Sequence, residues 1–331
     1  MVRHVCVLLL LLFHCTTAGA QFDAGRAELA ISVNNEIYPY RVFATYVLPA
    51  EHLGLCLLTE NPANYVVVAE DGVLDRLEDC RWIWTAPDEP GLYQVRVLNT
   101  AATEVMSLNV FVMLPAYRLA AGQIDDYVIG DYPVPLDDSP LYQPPDGYIR
   151  VTADVLNTQL SPNFELGQFV SPLDENFPKY VVLRERLLLK LEALLERLNE
   201  RGIVAQSLSV IAGYYPPEYN RRIGGQMYNR HIYGGAATII VDRDGDGVMD
   251  DLDGNGSEDP ADGLFLFELI DELYQEPGKE YLSGGLFLYG ASADRGASIM
   301  IDARGFRRRW QNPSEVPPLP EELRPKHKRD F

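Results

Sequence analysis

Five short runs of β-branched and aromatic residues between about residues 28 and 115 constrain the fold of this chain more than any other feature. Such residues favour strands, and turn-forming clusters such as Glu60-Asn61-Pro62 separate the runs. We therefore predict an all-β domain in this part of the chain. The runs are Leu29–Val33, Tyr40–Val47, Tyr65–Val68, Tyr93–Leu98 and Met106–Met113.

The segment from Trp84 to Val97 resembles the corner and the following strand of an immunoglobulin-like sandwich. In such domains a tyrosine just inside the strand, here Tyr93, holds the corner by a hydrogen bond to the backbone. The resemblance implies an immunoglobulin-like β-sandwich over residues 21–115, a module that positions or binds other molecules. Trp82 and Trp84 are expected in the core of the sandwich rather than on a ligand-binding surface.

A proline-rich segment divides the chain into two parts. Residues 116–147 contain Pro133, Pro135, Pro140, Pro144 and Pro145. Because proline restricts the backbone to extended conformations, this composition predicts an extended, semi-rigid linker between two domains.

Residues 148–312 combine helical and strand-like patterns and predict an α+β domain. Leucines at helical spacing predict the strongest helix, which is expected to open at Pro178 and end at Gly202. A second helix is expected over Ala261–Leu273, and we identify no internal repeat. Short apolar runs predict buried strands at Leu208–Ala212, Ala237–Val241, Leu286–Tyr289 and Ser298–Asp302.

This second part of the chain resembles the zinc D-Ala-D-Ala carboxypeptidases, whose superfamily also contains the Hedgehog signalling domain. The family patterns are S-G-Y-R-x-P-x-Y-N, then S-x-H-x-x-G-x-A-x-D, then a late H-x-D. The similarity covers about residues 148–310 and implies a Hedgehog/D,D-peptidase-like fold. The segments that carry it are Leu166–Phe169, Ala212–Asn220, Asn229–Thr238 and Ser298–Gly305.

The resemblance also implies where a catalytic zinc ion would be bound. A zinc ion of this class has three protein ligands and an open position for the water that it activates. His231 stands at the first ligand position, Thr238 at the aspartate position and Met300 at the second histidine position. Because a hydroxyl and a thioether are poor zinc ligands, we predict that zinc is not bound. His231 is then expected to hold the former active-site floor in shape through hydrogen bonds.

This sequence differs from the family pattern at two further positions and agrees with it at one. Tyr215 stands where the family has the arginine that holds the substrate's terminal carboxylate, and Asn229 stands where it has a serine. Asp302 is kept, and its family role is secondary to the metal. These departures favour a pseudoenzyme, with no confident catalytic residue.

An acidic loop inside the second domain predicts a calcium site. Residues 242–253 read D-x-D-x-D-G-x-x-D-x-x-D, with glycine at the sixth position for the sharp turn. Residues Asp253, Asn255 and Ser257 are candidates for a second, weaker site, and a solvated loop without an ion is the alternative. The expected ligands of the first site are Asp242, Asp244, Asp246, the Val248 carbonyl, Asp250 and Asp253.

The termini and the cysteines predict export. Residues 1–20 have a basic start, an apolar run and a small-residue cleavage site, typical of a signal peptide, and residues 313–331 are expected to be a disordered tail. The mature chain keeps Cys56 and Cys80, which predict a disulfide in an oxidising compartment, with two buried free thiols as the alternative. No later stretch is apolar enough for a transmembrane anchor. A net charge of −20 argues against nucleic acid as a partner.

Together these features predict an exported, calcium-stabilised, non-catalytic binding protein of the bacterial periplasm or the extracellular space. Peptidoglycan peptide, another peptide or an envelope protein is the expected partner. One alternative is an active zinc D-Ala-D-Ala carboxypeptidase with a rearranged site, and another is a structural envelope interaction protein. A basic cluster is expected to form ion pairs with the acidic surface or to bind an anionic partner; it comprises Arg304, Arg307, Arg308 and Arg309.

Overall fold

The computed structural model describes residues 22–78, 80–101, 103–172, 176–291 and 296–311. Strand is commoner than helix, at 37% against 22%, which confirms a sheet-rich fold. The predicted signal peptide and the predicted tail lie outside the described residues. In the part of the chain that is described, no helix is long and apolar enough to cross a membrane.

Two sheets form the first part of the chain and share one hydrophobic core. The first sheet has the strand order β2-β1-β4-β7-β6 and the second has the order β3-β9-β8-β5. Strands β3 and β9 are parallel, and the other pairings in these sheets are antiparallel. The strands are β1 (Arg26–Val33), β2 (Glu36–Tyr40), β3 (Val42–Val47), β4 (His52–Leu58), β5 (Tyr65–Ala69), β6 (Val73–Glu78), β7 (Arg81–Thr85), β8 (Gly91–Asn99) and β9 (Glu104–Val112).

Alternating side chains fill the space between the two sheets. Along β4 the buried residues are Leu53, Leu55 and Leu57, as expected for a strand with one face on the core. Trp84 is fully buried and Trp82 nearly so, which confirms that both lie in the core. The Tyr93 hydroxyl donates a hydrogen bond to the Glu89 carbonyl at 2.9 Å, so the corner before β8 is held by the contact expected from the sequence.

Cys56 and Cys80 lie side by side at one end of the first sheet. Cys56 is on β4, and Cys80 immediately precedes β7, the strand paired with β4. Their sulfur atoms are 3.7 Å apart and both residues are free thiols in this structure. An S–S bond is about 2.05 Å long, so the two sulfur atoms are in contact but not bonded, and the disulfide stays a prediction.

Residues 116–147 are packed against the second domain, and the prediction of an extended spacer is wrong in this respect. The segment contains the short hairpin of β11 (Gln123–Ile124) and β12 (Tyr127–Val128). Ile124, Tyr127 and Ile129 are buried in the second hydrophobic core. Further along, the Tyr132 hydroxyl is 3.0 Å from the Tyr214 hydroxyl. Burial of these apolar side chains outweighs the extended preference of the nearby prolines.

A five-stranded sheet with the order β17-β18-β20-β19-β21 forms the centre of the second domain. Only the β19–β21 pair is parallel in this sheet, and helices α1 and α3 contribute buried side chains to the same core. The sheet strands are β17 (Ser209–Ala212), β18 (Ala236–Ile240), β19 (Gly285–Tyr289), β20 (Ser298–Asp302) and β21 (Arg308–Gln311). The remaining elements are β10 (Leu114–Pro115), β13 (Gly147–Val151), β14 (Gln159–Ser161), β15 (Phe164–Glu165), β16 (Lys179–Val181), α1 (Glu185–Glu200), α2 (Pro217–Arg222) and α3 (Pro260–Leu273).

The first long helix starts later than the sequence predicts. Residues 179–181 form β16, which pairs with β13, so the apolar residues after Pro178 complete a small sheet instead of a helical turn. Helix α1 begins at Glu185, and its predicted leucine stripe faces the core: Leu187, Leu191, Leu194 and Leu198 are at most 1% exposed.

Candidate functional site

His231 lies at the centre of the second domain and has no free nitrogen. It is 3% exposed and belongs to the one-turn helix Arg230–Tyr233. Its Nδ1 is 2.6 Å from the Gly213 carbonyl, and its Nε2 is 3.2 Å from the Thr238 hydroxyl. Because a carbonyl only accepts, Nδ1 carries the proton, and the neutral Nε2 accepts from Thr238.

The structure brings three of the family's metal positions together on neighbouring elements. Thr238 on β18 and Met300 on β20 are direct partners in the antiparallel register. Thr238 also bonds His231, as described above, and the Tyr289 hydroxyl donates to the Met300 sulfur at 3.5 Å. A backbone carbonyl on Nδ1 is the orientation that a metal-binding imidazole commonly adopts. In this structure the group that faces Nε2 is the Thr238 hydroxyl.

The donor set at His231 does not fit a hydrolytic zinc ion. Thr238 and Met300 contribute a neutral hydroxyl and a soft thioether, neither of which replaces a carboxylate or an imidazole. In the described ranges, the only clusters of three or more acidic, histidine or cysteine side chains with metal-binding geometry lie in residues 242–262. We therefore derive no reaction step through zinc.

Tyr215 and Asn229 also lie beside His231. The Tyr215 ring stacks on the imidazole with centroids 4.8 Å apart. The Asn229 Oδ1 accepts from the His231 backbone N–H at 3.2 Å and caps the short helix. The two residues support the imidazole, one by stacking and the other by capping.

Close backbone packing fixes the floor beneath His231. A Cβ on Gly213 would lie 2.4 Å from the Phe169 Cα, so only glycine fits at this position. The carbonyl of the same residue accepts the hydrogen bond from the His231 imidazole. Gly234 ends the short helix at φ +65°, and a Cβ there would lie 2.2 Å from the Val182 carbonyl oxygen. The glycines of the family-like motif therefore have a packing role that needs no metal.

Asp302 is fully buried at the end of β20 and is surrounded by cations. Its carboxylate accepts from the Gly285 N–H at 2.8 Å and from the Arg304 guanidinium, while the buried Lys190 ammonium donates to its carbonyl. Burial alone would raise the pKa of Asp302, but the Arg304 hydrogen bond and charge lower it overall. Asp302 thus has a structural partner set of its own. Lys190 was not identified from the sequence as a partner of Asp302.

The basic cluster forms ion pairs, as one of its two interpretations predicts. Arg304 pairs with Asp302, and both Arg307 and Arg309 pair with Asp271 on α3. Arg308 is exposed on β21.

The acidic loop after β18 has the compact form expected of a calcium-binding loop. The Asp242 carboxylate accepts from the N–H groups of Gly245 at 2.7 Å, Asp246 at 3.1 Å and Gly247 at 3.1 Å. Gly245 and Gly247 both have positive φ, near +80° and +85°, which glycine adopts without strain. The loop therefore curls around the carboxylate of its first residue.

A second loop repeats this arrangement nine residues later, and the prediction of no internal repeat is wrong. Asp251 accepts from the N–H groups of Gly254 at 2.7 Å and Gly256 at 2.8 Å, which correspond to Gly245 and Gly247. Residues 242–250 and 251–259 both read D-x-D-G-[D/N]-G-x-x-D, so the signal was present in the sequence. The second loop starts at Asp251, two residues before the predicted start.

The carboxylates of the two loops converge in three groups, each with its ligand atoms within 4.8 Å of one another. Asp253, which was predicted as a ligand of the first site, belongs to a group in the second loop. Glu258 and Asp262 were not predicted as ligands, and each is the third member of one group. Asp250 is also held by an ion pair with Arg243. The groups are Asp242–Asp244–Asp250, Asp244–Asp246–Glu258 and Asp251–Asp253–Asp262.

A cavity of about 720 Å³ lies beside the His231 region, between residues 130–134 and the α2 region. Asn220, one of its lining residues, accepts a hydrogen bond from the Asn229 side chain at 2.8 Å. The cavity is thus linked to the cap of the His231 helix. Its lining includes Tyr132, Val134, Glu218, Met227 and Tyr228.

The buried imidazole makes the stability of the domain sensitive to acid. Burial lowers the pKa of His231 to about 4, whereas an unfolded histidine titrates near 6.5. As the pH falls, the unfolded state takes up the proton first, so stability is complete above pH ~6.5 and is lost towards pH ~4. We expect a loss of about 3 kcal/mol from this group.

Denaturant unfolding at pH 7.5, 6 and 4.5 measures this effect. His231→Gln cannot titrate and should show a shallower pH dependence than the unaltered protein, whatever its stability at pH 7.5. Equal slopes for the two proteins would contradict the assignment.

Comparisons with known proteins do not identify a family for this chain. No family model, no curated protein and no solved structure matches this chain. The resemblance to the D-Ala-D-Ala carboxypeptidases therefore rests on the sequence motifs alone, and no family is shown.

Proposed function

We propose that this chain is an exported, calcium-binding and non-catalytic binding protein, built from an immunoglobulin-like module and a peptidase-like domain. The observation that carries the proposal is the pair of acidic loops, whose carboxylates converge in three groups inside one short segment. Calcium is a large, hard cation that takes six to eight oxygen ligands, and such loops supply them.

The non-catalytic part of the proposal is supported by the contacts of His231. Its Nε2, the nitrogen that a zinc ion would need, accepts from the Thr238 hydroxyl at 3.2 Å. Met300 lies opposite Thr238 across the strand pair and offers only a thioether. These contacts stabilise the domain without a metal ion.

The strand pairing supports an immunoglobulin-like module. If β1, β4, β7 and β6 correspond to strands A, B, E and D, the first sheet has the order of one immunoglobulin sheet, and β9-β8-β5 then gives G-F-C. The Tyr93 corner bond is consistent with that family of sandwiches.

Binding of a peptide is the role that we propose for the peptidase-like domain. The 720 Å³ cavity is lined by aromatic, apolar and charged side chains and is within the size range of small-ligand sites. Peptidoglycan peptide, or a peptide of an envelope protein in the periplasm or outside the cell, is the proposed occupant.

Incubation with zinc and a peptide ending in D-Ala-D-Ala tests the proposal. We expect no release of D-alanine, because the donors at His231 cannot hold the ion that activates water. Binding of the same peptide, and sedimentation of the protein with peptidoglycan, are expected, and Tyr228→Ala in the cavity wall should weaken both.

Arg308→Ala, an exposed change on β21, serves as the matched control for binding. Release of D-alanine that is lost in His231→Ala would establish the rival zinc carboxypeptidase. Retention by envelope proteins without any retention by peptidoglycan would favour the structural interaction protein.

A further inference from the structure

Arg230 is a buried cation with incomplete hydrogen bonding. The residue is 3% exposed, and its Nη1 donates to the Leu141 carbonyl. Its Nε and Nη2 have no hydrogen-bond partner, and among the residues that the structure describes no carboxylate lies within 4.0 Å. Buried charges in proteins are normally paired, because desolvation of an unpaired charge costs several kcal/mol.

The two unpartnered nitrogens form one edge of the guanidinium. In arginine, the Nε–H and the nearer N–H of Nη2 point in parallel to the same side. This edge is the fork that binds a carboxylate or a phosphate through two parallel hydrogen bonds. Nη1, the nitrogen that is bonded to Leu141, lies on the other side. The unsatisfied part of Arg230 is therefore the part best suited to an oxyanion.

Aromatic rings enclose the guanidinium and supply another donor. The Arg230 carbon Cζ lies 5.6 Å from the ring centre of Tyr142 and 5.3 Å from that of Tyr233. The Tyr233 hydroxyl is also buried without a hydrogen-bond partner. A phenol next to a guanidinium adds a neutral donor for an oxyanion.

The backbone of Gly235 lies close to this edge. A Cβ on Gly235 would lie 3.1 Å from the Arg230 Nη2 and 3.3 Å from the Arg184 Cδ. Arg184, which lies beside the same glycine, is partly exposed. Leu141 and Tyr142, which cover the other side, are partly exposed too.

The local charge is positive in a protein whose net charge is −20. Burial, together with the charges of Arg184 and Arg304, lowers the pKa of Arg230 to about 10, so the guanidinium is still protonated at neutral pH. The charge of Asp302 acts in the opposite direction and raises this pKa, but its carboxylate is already paired with Arg304.

We propose that Arg230 binds a small oxyanion, a carboxylate or a phosphate group, through its unpartnered Nε–Nη2 edge. The site uses none of the acidic loops and none of the zinc positions, so it stands independently of the function proposed above.

Calorimetric titration of the mature protein with acetate and with phosphate, at constant ionic strength in chloride, tests this site. We expect saturable binding of at least one of the two anions, and the stronger response identifies the ligand class. Arg230→Lys keeps the charge but loses the fork, and Gly235→Ala adds a methyl group 3.1 Å from Nη2, where it obstructs this edge; each should weaken binding at least tenfold. Arg308→Lys, on the exposed face of β21, should bind as the unaltered protein does.

Absence of binding by the unaltered protein would overturn the proposal, since buried water would then satisfy the guanidinium. Undiminished binding by Gly235→Ala would also overturn it. If Arg230→Lys does not fold, the result for Gly235→Ala decides. This variant is expected to fold, because the added methyl group contacts only the flexible side chains of Arg230 and Arg184.

Discussion

Calcium is expected to raise the melting temperature of the protein by roughly 10–20 °C relative to the same protein in a chelator. Each ion at about a hundred times its dissociation constant stabilises the folded state by about 2.7 kcal/mol, and the two loops offer two such sites. For a domain of this size, 1 kcal/mol corresponds to about 2–4 °C.

The charge density of the loops is the reason for so large an effect. Residues 242–262 contain nine acidic residues and one arginine. Partial desolvation and then the charges of Asp246 and Asp244 raise the pKa of Glu258, which is the direction expected for carboxylates that repel one another. An ion that neutralises them removes this repulsion in the folded state.

Asparagine substitutions separate ion binding from loop folding. Asp244→Asn plus Asp246→Asn keeps the side-chain oxygens but removes two charges, and it should abolish about half of the calcium shift. Asp251→Asn plus Asp253→Asn should abolish the other half. The matched control, Asp88→Asn plus Glu89→Gln, changes the charge equally at exposed positions outside the loops. A melting curve that calcium leaves unchanged would argue against both sites.

The second large effect is expected at Asp302. Asp302→Asn should destabilise the protein by about 3–5 kcal/mol, because removal of one partner leaves buried charge uncompensated. Arg304 has a side chain only 12% exposed, and Lys190 is 1% exposed, so water cannot replace the lost carboxylate. Denaturant unfolding at neutral pH measures the loss.

Asp271→Asn is the matched control for this change. Asp271 also pairs with two arginines, but its side chain is 18% exposed, whereas that of Asp302 is 0% exposed. The side chains of its partners Arg307 and Arg309 are 56% and 14% exposed. Because solvent reaches the Asp271 carboxylate, its loss should cost less than that of Asp302, about 1–2 kcal/mol. Equal losses for the two variants would contradict a special role for Asp302.

The sheet-rich fold could be predicted because its signal is local. Runs such as Met106–Met113 carry β-branched and aromatic residues, which favour strands. Strand β6 was not predicted, since Val73–Glu78 is an edge strand in which five of the six residues are exposed and three are charged. The start of α1 was also wrong, because the residues after Pro178 pair with β13, a partner that lies about thirty residues earlier in the chain.

The candidate site could be predicted only in part, for a similar reason. The meeting of His231 with Thr238 and Met300 follows from the motif order, and the structure places these residues together. The buried cations Lys190 and Arg230 could not be predicted, because a charged residue on a helix normally faces solvent. The second loop was missed although its nine-residue period is visible from Asp242 to Asp259.

Metal content of the purified mature protein tests the central claim most directly. Mass spectrometry of protein that was dialysed against trace calcium and zinc together should find about two calcium ions per chain, and the Asp244→Asn plus Asp246→Asn variant should lose one. One tightly bound zinc ion per chain, lost in His231→Ala, would contradict the account.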